Sequence, residues 1–126
     1  MAGAQGVYLL VLKVPGETIR VGALGRLSFA PGLYGYVGSA RGRSATLGHR
    51  LARHLRLDKA RRWHLDHLTS HPRVQPVAAF LSEGDKLTER RLARLCTARF
   101  PAIPRFGNSD QRGKTPGHLF LLRPDR

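Results

Sequence analysis

A chain of 126 residues is long enough to bury one core without disulfide or zinc staples and too short for two ordinary domains, so a single domain over residues 1–126 is expected. Twenty-two Lys and Arg against eight Asp and Glu leave a formal charge of +14, which says little about fold but names a polyanion as the natural partner. One cysteine, Cys96, excludes an internal disulfide and a thiolate-built zinc site and suits a reducing cytoplasm; the longest apolar run, Val7 to Leu12, is far below the roughly 20 residues of a membrane helix, and no signal peptide is visible.

Taken in chain order, Val7 to Val14 is rich in branched and aromatic residues and stops at Pro15-Gly16, which predicts a buried strand ending in a turn. Thr18 to Gly22 is a second extended stretch able to pair with it as a hairpin. Between Gly22 and Gly35, glycines and Pro31-Gly32 punctuate alternating strand and turn pieces, and Leu33 to Val37 returns as a strand. From Ser44, a plausible N-cap, the period changes: Leu47, Leu51 and Leu55 recur every fourth residue, predicting an amphipathic helix. A second helical stretch covers Lys59 to Leu68. Gln75 to Leu81 reads as another strand, and Asp85 caps a helix running to about Arg99, ended by Pro101 and Pro104. A polar loop from Gly107 to Gly117 precedes a last strand, His118 to Leu122.

The positive charge is clustered. Arg41, Arg43, Arg50, Arg53, Arg56, Lys59, Arg61 and Arg62 stand against Asp58 alone in the 23 residues from Arg41 to Trp63, half the net excess of the chain. Solvated coats usually mix both signs, so Arg41, Arg43, Arg53, Arg56, Lys59, Arg61 and Arg62 read as a phosphate-binding surface.

Tyr8 and Tyr36, on separate strands, can bring two phenolic oxygens to one sheet face and hydrogen-bond a water and a phosphate oxygen. A free phenol ionises near pH 10, so a tyrosine acting as base needs a neighbouring cation or metal. Taken alone, Tyr8 reads as a core aromatic with its hydroxyl satisfied. Arg50 and His54, four apart, share a helix face bordering the leucine stripe and can face inward; Arg50 by itself reads as a solvated surface arginine. Glu89 shares a face with Leu92, Ala93 and Cys96, turning its carboxylate toward the body. It is either a first-turn acid favoured by the helix dipole or an oxygen ligand for a single Mg²⁺ or Mn²⁺. His64, Asp66 and His67 invite a transition-metal reading, yet on a helix Asp66 points away from the two histidines, which favours structural or phosphate-contact roles.

Gly6-Val7-Tyr8, Tyr36-Val37-Gly38, Arg50, His54 and Glu89, in that order, resemble the GIY-YIG endonuclease superfamily over nearly the whole chain. The run from Gly32 to Ala40, Arg50 to Leu55, and Trp63-His64-Leu65-Asp66-His67-Leu68 look in particular like a small branch known as a domain of unknown function, whose members occur alone or fused to repair enzymes of the endonuclease III type. The resemblance implies a catalytic role for Arg50 and metal binding by Glu89. Gly38, Ser39, His64, Asp66 and Asn108, the last matching the superfamily's final asparagine, become supporting positions. The pattern departs in two places: Tyr8 and Tyr36 are 28 residues apart, which demands a hairpin inserted between their strands, and the loop around Asn108 lacks the cysteines of the branch. Gly32-Leu33-Tyr34 imitates the first motif, but Tyr34 and Tyr36 lie on one strand.

The expected architecture is α+β, a small, mainly antiparallel sheet flanked by about three helices, with an extended N-terminal β-hairpin and the catalytic groups on one sheet face. The expected activity is metal-dependent endonucleolytic hydrolysis of nucleic acid, DNA rather than RNA, in repair or processing. The alternative is a non-catalytic basic DNA- or RNA-binding module on the same scaffold. A His-centred hydrolase acting on a small molecule leaves the charge unexplained.

Overall fold

The branched run that opens the chain becomes β1 (Gly6–Val14), a strand buried on both faces, which is why it tolerates a nearly unbroken apolar sequence. The computed structural model describes residues 5–40, 46–56, 64–106 and 117–125. The elements after β1 are β2 (Glu17–Arg20), a short 3-10 turn (Gly22–Leu24), β3 (Arg26–Phe29), β4 (Gly32–Ala40), α1 (Leu47–Leu55), α2 (His64–Thr69), β5 (Gln75–Glu83), α3 (Glu89–Thr97) and β6 (Leu119–Pro124).

The fold is α+β. A four-stranded sheet in the order β5-β1-β4-β6 is antiparallel throughout, and β2 and β3 form a separate two-stranded sheet. Thr18 to Gly22 therefore does not pair with the first strand. Both edges of β1 are taken by β4 and β5, so the chain turns at Pro15-Gly16 and β2 finds its partner in β3, giving the hairpin inserted between the two tyrosine-bearing strands. The free edge of β6 is covered by the stretch after α3, with Ile103 N donating to Leu119 O and Leu121 N to Pro101 O.

Alternation along the strands divides the interior in two. Tyr8, Leu10, Leu12 and Val14 join Leu47, Leu65 and Leu68 on the α1 and α2 side, where Ile19 and Phe29 of the hairpin close the core. Leu9 and Val37 face the other way and meet Ala93, Cys96 and Leu92 of α3, with Phe120.

Helix starts differ from expectation. Ser44 lies outside the described residues, and Thr46 caps α1, its Oγ1 accepting from the His49 amide at 3.3 Å. Asp85 falls in the turn after β5; Thr88 caps α3 by accepting from Arg91 N at 3.1 Å, because only the residue directly before the first helical one can reach that amide. Of the stretch Lys59 to Leu68, the described part is helical from His64. The stripe Leu47, Leu51, Leu55 turns outward at its end: Leu47 is buried, but Leu55 is 57% exposed, and His54 takes the inward place.

Arg53 and Asp66 tie α1 to α2 through a two-pronged contact, Nη1 to Oδ1 at 2.7 Å and Nη2 to Oδ2 at 2.9 Å. Asp66 is fully buried, so the guanidinium is the compensation for a desolvated charge. Arg53, expected on the phosphate-binding surface, is thus engaged with Asp66, with its side chain still 25% exposed. No helix among the described residues is long and apolar enough to cross a membrane.

Removing one partner of a buried pair strands the other charge. Arg53→Met is expected to cost about 3 kcal/mol in urea unfolding, with Arg53→Met/Asp66→Leu losing clearly less than the sum of the two single changes. Additive losses would show that the pair is uncoupled.

Candidate active site

The register of β1 on β4 sets Tyr8 directly opposite Gly38. A side chain at Gly38 would put its Cβ 2.4 Å from the Tyr8 ring carbon and hydroxyl, so the ring of Tyr8 occupies the space that a glycine alone leaves open. Gly6 serves a similar purpose toward β5, where a Cβ would sit 2.0 Å from Ser82 O. The glycine in each three-residue motif is thus required by a close approach.

Over this gap Tyr8 Oη lies 2.7 Å from His54 Nε2, a buried hydrogen bond between β1 and α1. Tyr36 approaches His54 edge-on, with ring centroids 6.3 Å apart, and stacks in the same manner on Phe106, which in turn meets His64. Burial pushes the Tyr8 phenol well above its ordinary value; Tyr36 and the charges of Glu89 and Asp66 push the same way, and Arg50 alone opposes them. Tyr36 is likewise raised by burial, then by Glu89 and Asp66, again against Arg50. Both phenols are therefore protonated at neutral pH, with the Arg50 charge within electrostatic reach of each.

Glu89 opens α3. Its Oε1 accepts from Ser39 Oγ at 2.7 Å, and its Oε2 lies 3.0 Å from His118 Nδ1, a short contact angled off the ring N–H axis. Burial would raise this carboxyl, but the His118 and Ser39 contacts and the Arg50 charge hold it below the usual carboxylate range. It is a carboxylate at neutral pH. Ser39 shares the face of Val37, the α3 side, whereas Tyr8 and Tyr36 belong to the α1 side. The expectation that all catalytic groups gather on one sheet face is corrected accordingly: two half-sites occupy opposite faces near the end of β4, because α1 and α3 pack on opposite sides of the sheet. Arg50 lies within electrostatic reach of both half-sites, since its charge acts on the two tyrosines and on Glu89.

A hard divalent cation is compatible with Glu89, whose Oε1 accepts from Ser39 and whose Oε2 faces His118 Nδ1, each oxygen keeping further lone pairs. Among the described residues no group of three or more His, Cys, Asp or Glu converges, so such an ion would rest on one carboxylate, water and phosphate oxygens. His64 packs on Phe106, His67 lies beside Gly22, and Asp66 holds Arg53; the three do not converge. Tyr34 donates its hydroxyl to Ala30 O at 2.8 Å within its own hairpin. Arg56 is exposed where α1 ends. Arg41, Arg43, Lys59, Arg61, Arg62 and Asn108 lie outside the described residues. Sequence reasoning missed His118 and the partnership of Ser39 with Glu89; a histidine two residues before Phe120 on an apolar strand was the available signal that its ring turns inward.

The family model described as Domain of unknown function DUF123 matches residues 7–126. No curated protein and no solved structure matches the chain.

The gap at Gly38 makes a direct prediction. Gly38→Ala should destabilise the fold by about 1–3 kcal/mol through overpacking against Tyr8, and the penalty should largely vanish in a Tyr8→Leu background, where the ring is gone. Thermal melts of the four proteins check this; an equal penalty in both backgrounds would place the clash elsewhere.

Proposed function

The chain belongs to the family Domain of unknown function DUF123, and from that premise we propose that it is a metal-dependent endonuclease of GIY-YIG type, hydrolysing phosphodiester bonds in DNA. The observation that carries the reading is the buried Tyr8–His54 hydrogen bond, beside Tyr36 and within electrostatic reach of Arg50 and an ionised Glu89. A structural tyrosine has no need of a histidine acceptor and an arginine charge together.

In the proposed mechanism Tyr8 is a relay. Its raised phenol excludes a standing phenolate, so the hydroxyl passes its own proton to His54 Nε2 as it takes one from the attacking water. His54 is the final acceptor. Arg50 neutralises the charge that builds on the phosphate, and Tyr36 orients the water or a phosphate oxygen. A Mg²⁺ or Mn²⁺ held by Glu89 would supply Lewis-acid stabilisation of the leaving oxygen. The net +14 accounts for attraction to the substrate backbone and for little sequence preference.

Incubation with labelled single-stranded, duplex and branched DNA and RNA, in Mg²⁺, Mn²⁺ or EDTA, tests the class. Metal-dependent cleavage supports it, and salt-sensitive binding with no cleavage of any substrate returns the protein to a basic binding module. Tyr8→Phe should lower kcat by about 10²- to 10⁴-fold and leave binding intact, whereas Tyr34→Phe, which loses only the bond to Ala30, should stay near wild type. Equal losses would sink the choice of Tyr8. Affinity should also fall steeply with salt, each neutralised phosphate adding about 0.9 to the log-log slope on duplex DNA; a flat salt dependence would remove the electrostatic basis of the reading.

A further inference from the structure

We propose that His118 is a positioning residue for Glu89, clamping the carboxylate together with Ser39 so that its remaining lone pairs are presented to a divalent cation; this rests on the metal reading of Glu89 given above. The ring is 1% exposed; Glu89 Oε2 lies 3.0 Å from Nδ1, and among the described residues neither ring nitrogen has a well-aligned hydrogen-bond partner. A buried imidazole with so little satisfaction is costly, and such groups call for an explanation outside packing. An apolar side chain in the same buried place would not carry that cost.

The backbone around His118 is fixed on both sides. Its N–H donates to Phe106 O at 2.7 Å, and its C=O accepts from Val37 N at 2.9 Å, locking the residue to β4 just before β6 begins. From the opposite side, Ser39 on β4 donates to Oε1. Glu89 thus has a hydrogen bond from Ser39 of β4 at Oε1 and the ring of His118, just before β6, against Oε2, while its own helix supplies the attachment point. An ionised carboxylate is acceptor-only, so the facing Nδ1 meets it as an N–H. Donors of this kind orient a ligating carboxylate and tune its affinity without touching the ion.

The test uses the full chain and Mn²⁺ alone as probe, with binding read by the loss of free-ion EPR signal, the melting temperature measured without metal, and cleavage assayed separately. His118→Leu removes both ring nitrogens; His118→Asn keeps an N–H at the position of Nδ1. His118→Leu should weaken Mn²⁺ binding by about 10- to 100-fold while His118→Asn stays within about threefold of wild type. A merely structural role predicts the reverse: a lowered metal-free melting temperature in both variants with Mn²⁺ affinity unchanged, and that result overturns the inference. Should His118→Leu fail to fold, His118→Gln, whose amide cannot occupy the Nδ1 position, takes its place, and unchanged affinity there is equally fatal. Failure of the underlying reading looks different. Wild type and Glu89→Gln would then bind Mn²⁺ equally poorly, which discards the metal site and the clamp together, whereas normal wild-type binding that His118→Leu leaves untouched discards the clamp alone.

Discussion

The register between β1 and β4 is the constraint from which the candidate site follows. With Tyr8 opposite Gly38, the phenol lies across a strand that has no side chain in its way, and its hydroxyl reaches His54 on the helix above. Because side chains alternate with period two, a slip of one residue would send Tyr8, Leu10 and Leu12 to the α3 side and bring Leu9 and Val11 beneath α1. Both neighbours of β1 pin it against that slip, β4 over its full length and β5 with one irregularity between Val11 and Leu12. The geometry of the candidate site is therefore a property of the central strands, held by the same burial that stabilises the fold.

That arrangement leaves the two halves of the site on opposite faces. Tyr8, Tyr36 and His54 belong to the larger core, while Glu89, Ser39 and His118 belong with the smaller cluster under α3. What couples them is charge. Arg50 opposes the upward shift of both phenols and helps to hold Glu89 ionised, and Glu89 in turn pushes the phenols up. On the proposed reading, a phosphate drawn to this end of the sheet would meet the arginine between two groups of opposite task, one to move a proton and one to hold a cation.

Much of this was legible in the sequence because it depends on periodicity. The buried first strand, the inward turn of His54 at seven residues from Leu47, and the alignment of Glu89 with Ala93 and Cys96 follow from spacing alone. The helix caps were misplaced because Ser44 and Thr46, or Asp85 and Thr88, are chemically equivalent candidates, and only the backbone decides which oxygen reaches the third amide. The pairing of Arg53 was hidden for a related reason: an arginine in a basic run is indistinguishable by composition from one paired with a buried aspartate 13 residues on. His118 and Ser39 meet Glu89 through contacts 29 and 50 residues apart in sequence, a distance over which local pattern carries no information.

Burial also decides how a tyrosine can serve as a base here. An exposed phenol beside an arginine could ionise and attack a proton directly, but Tyr8 is shielded enough that desolvation outweighs Arg50. The same shielding makes the neutral relay favourable, since a hydrogen bond to His54 gains strength where water is excluded, and no charge has to reside on the phenol at any stage. In the proposed mechanism the positive charge that the relay creates would come to rest on His54, which is 1% exposed, and a bound phosphate would offset the cost of placing it there. On the proposed reading, the charges of Glu89 and Asp66, which reach Tyr8 at the other end of that hydrogen bond, would favour a proton on His54 at the moment a phosphate is bound.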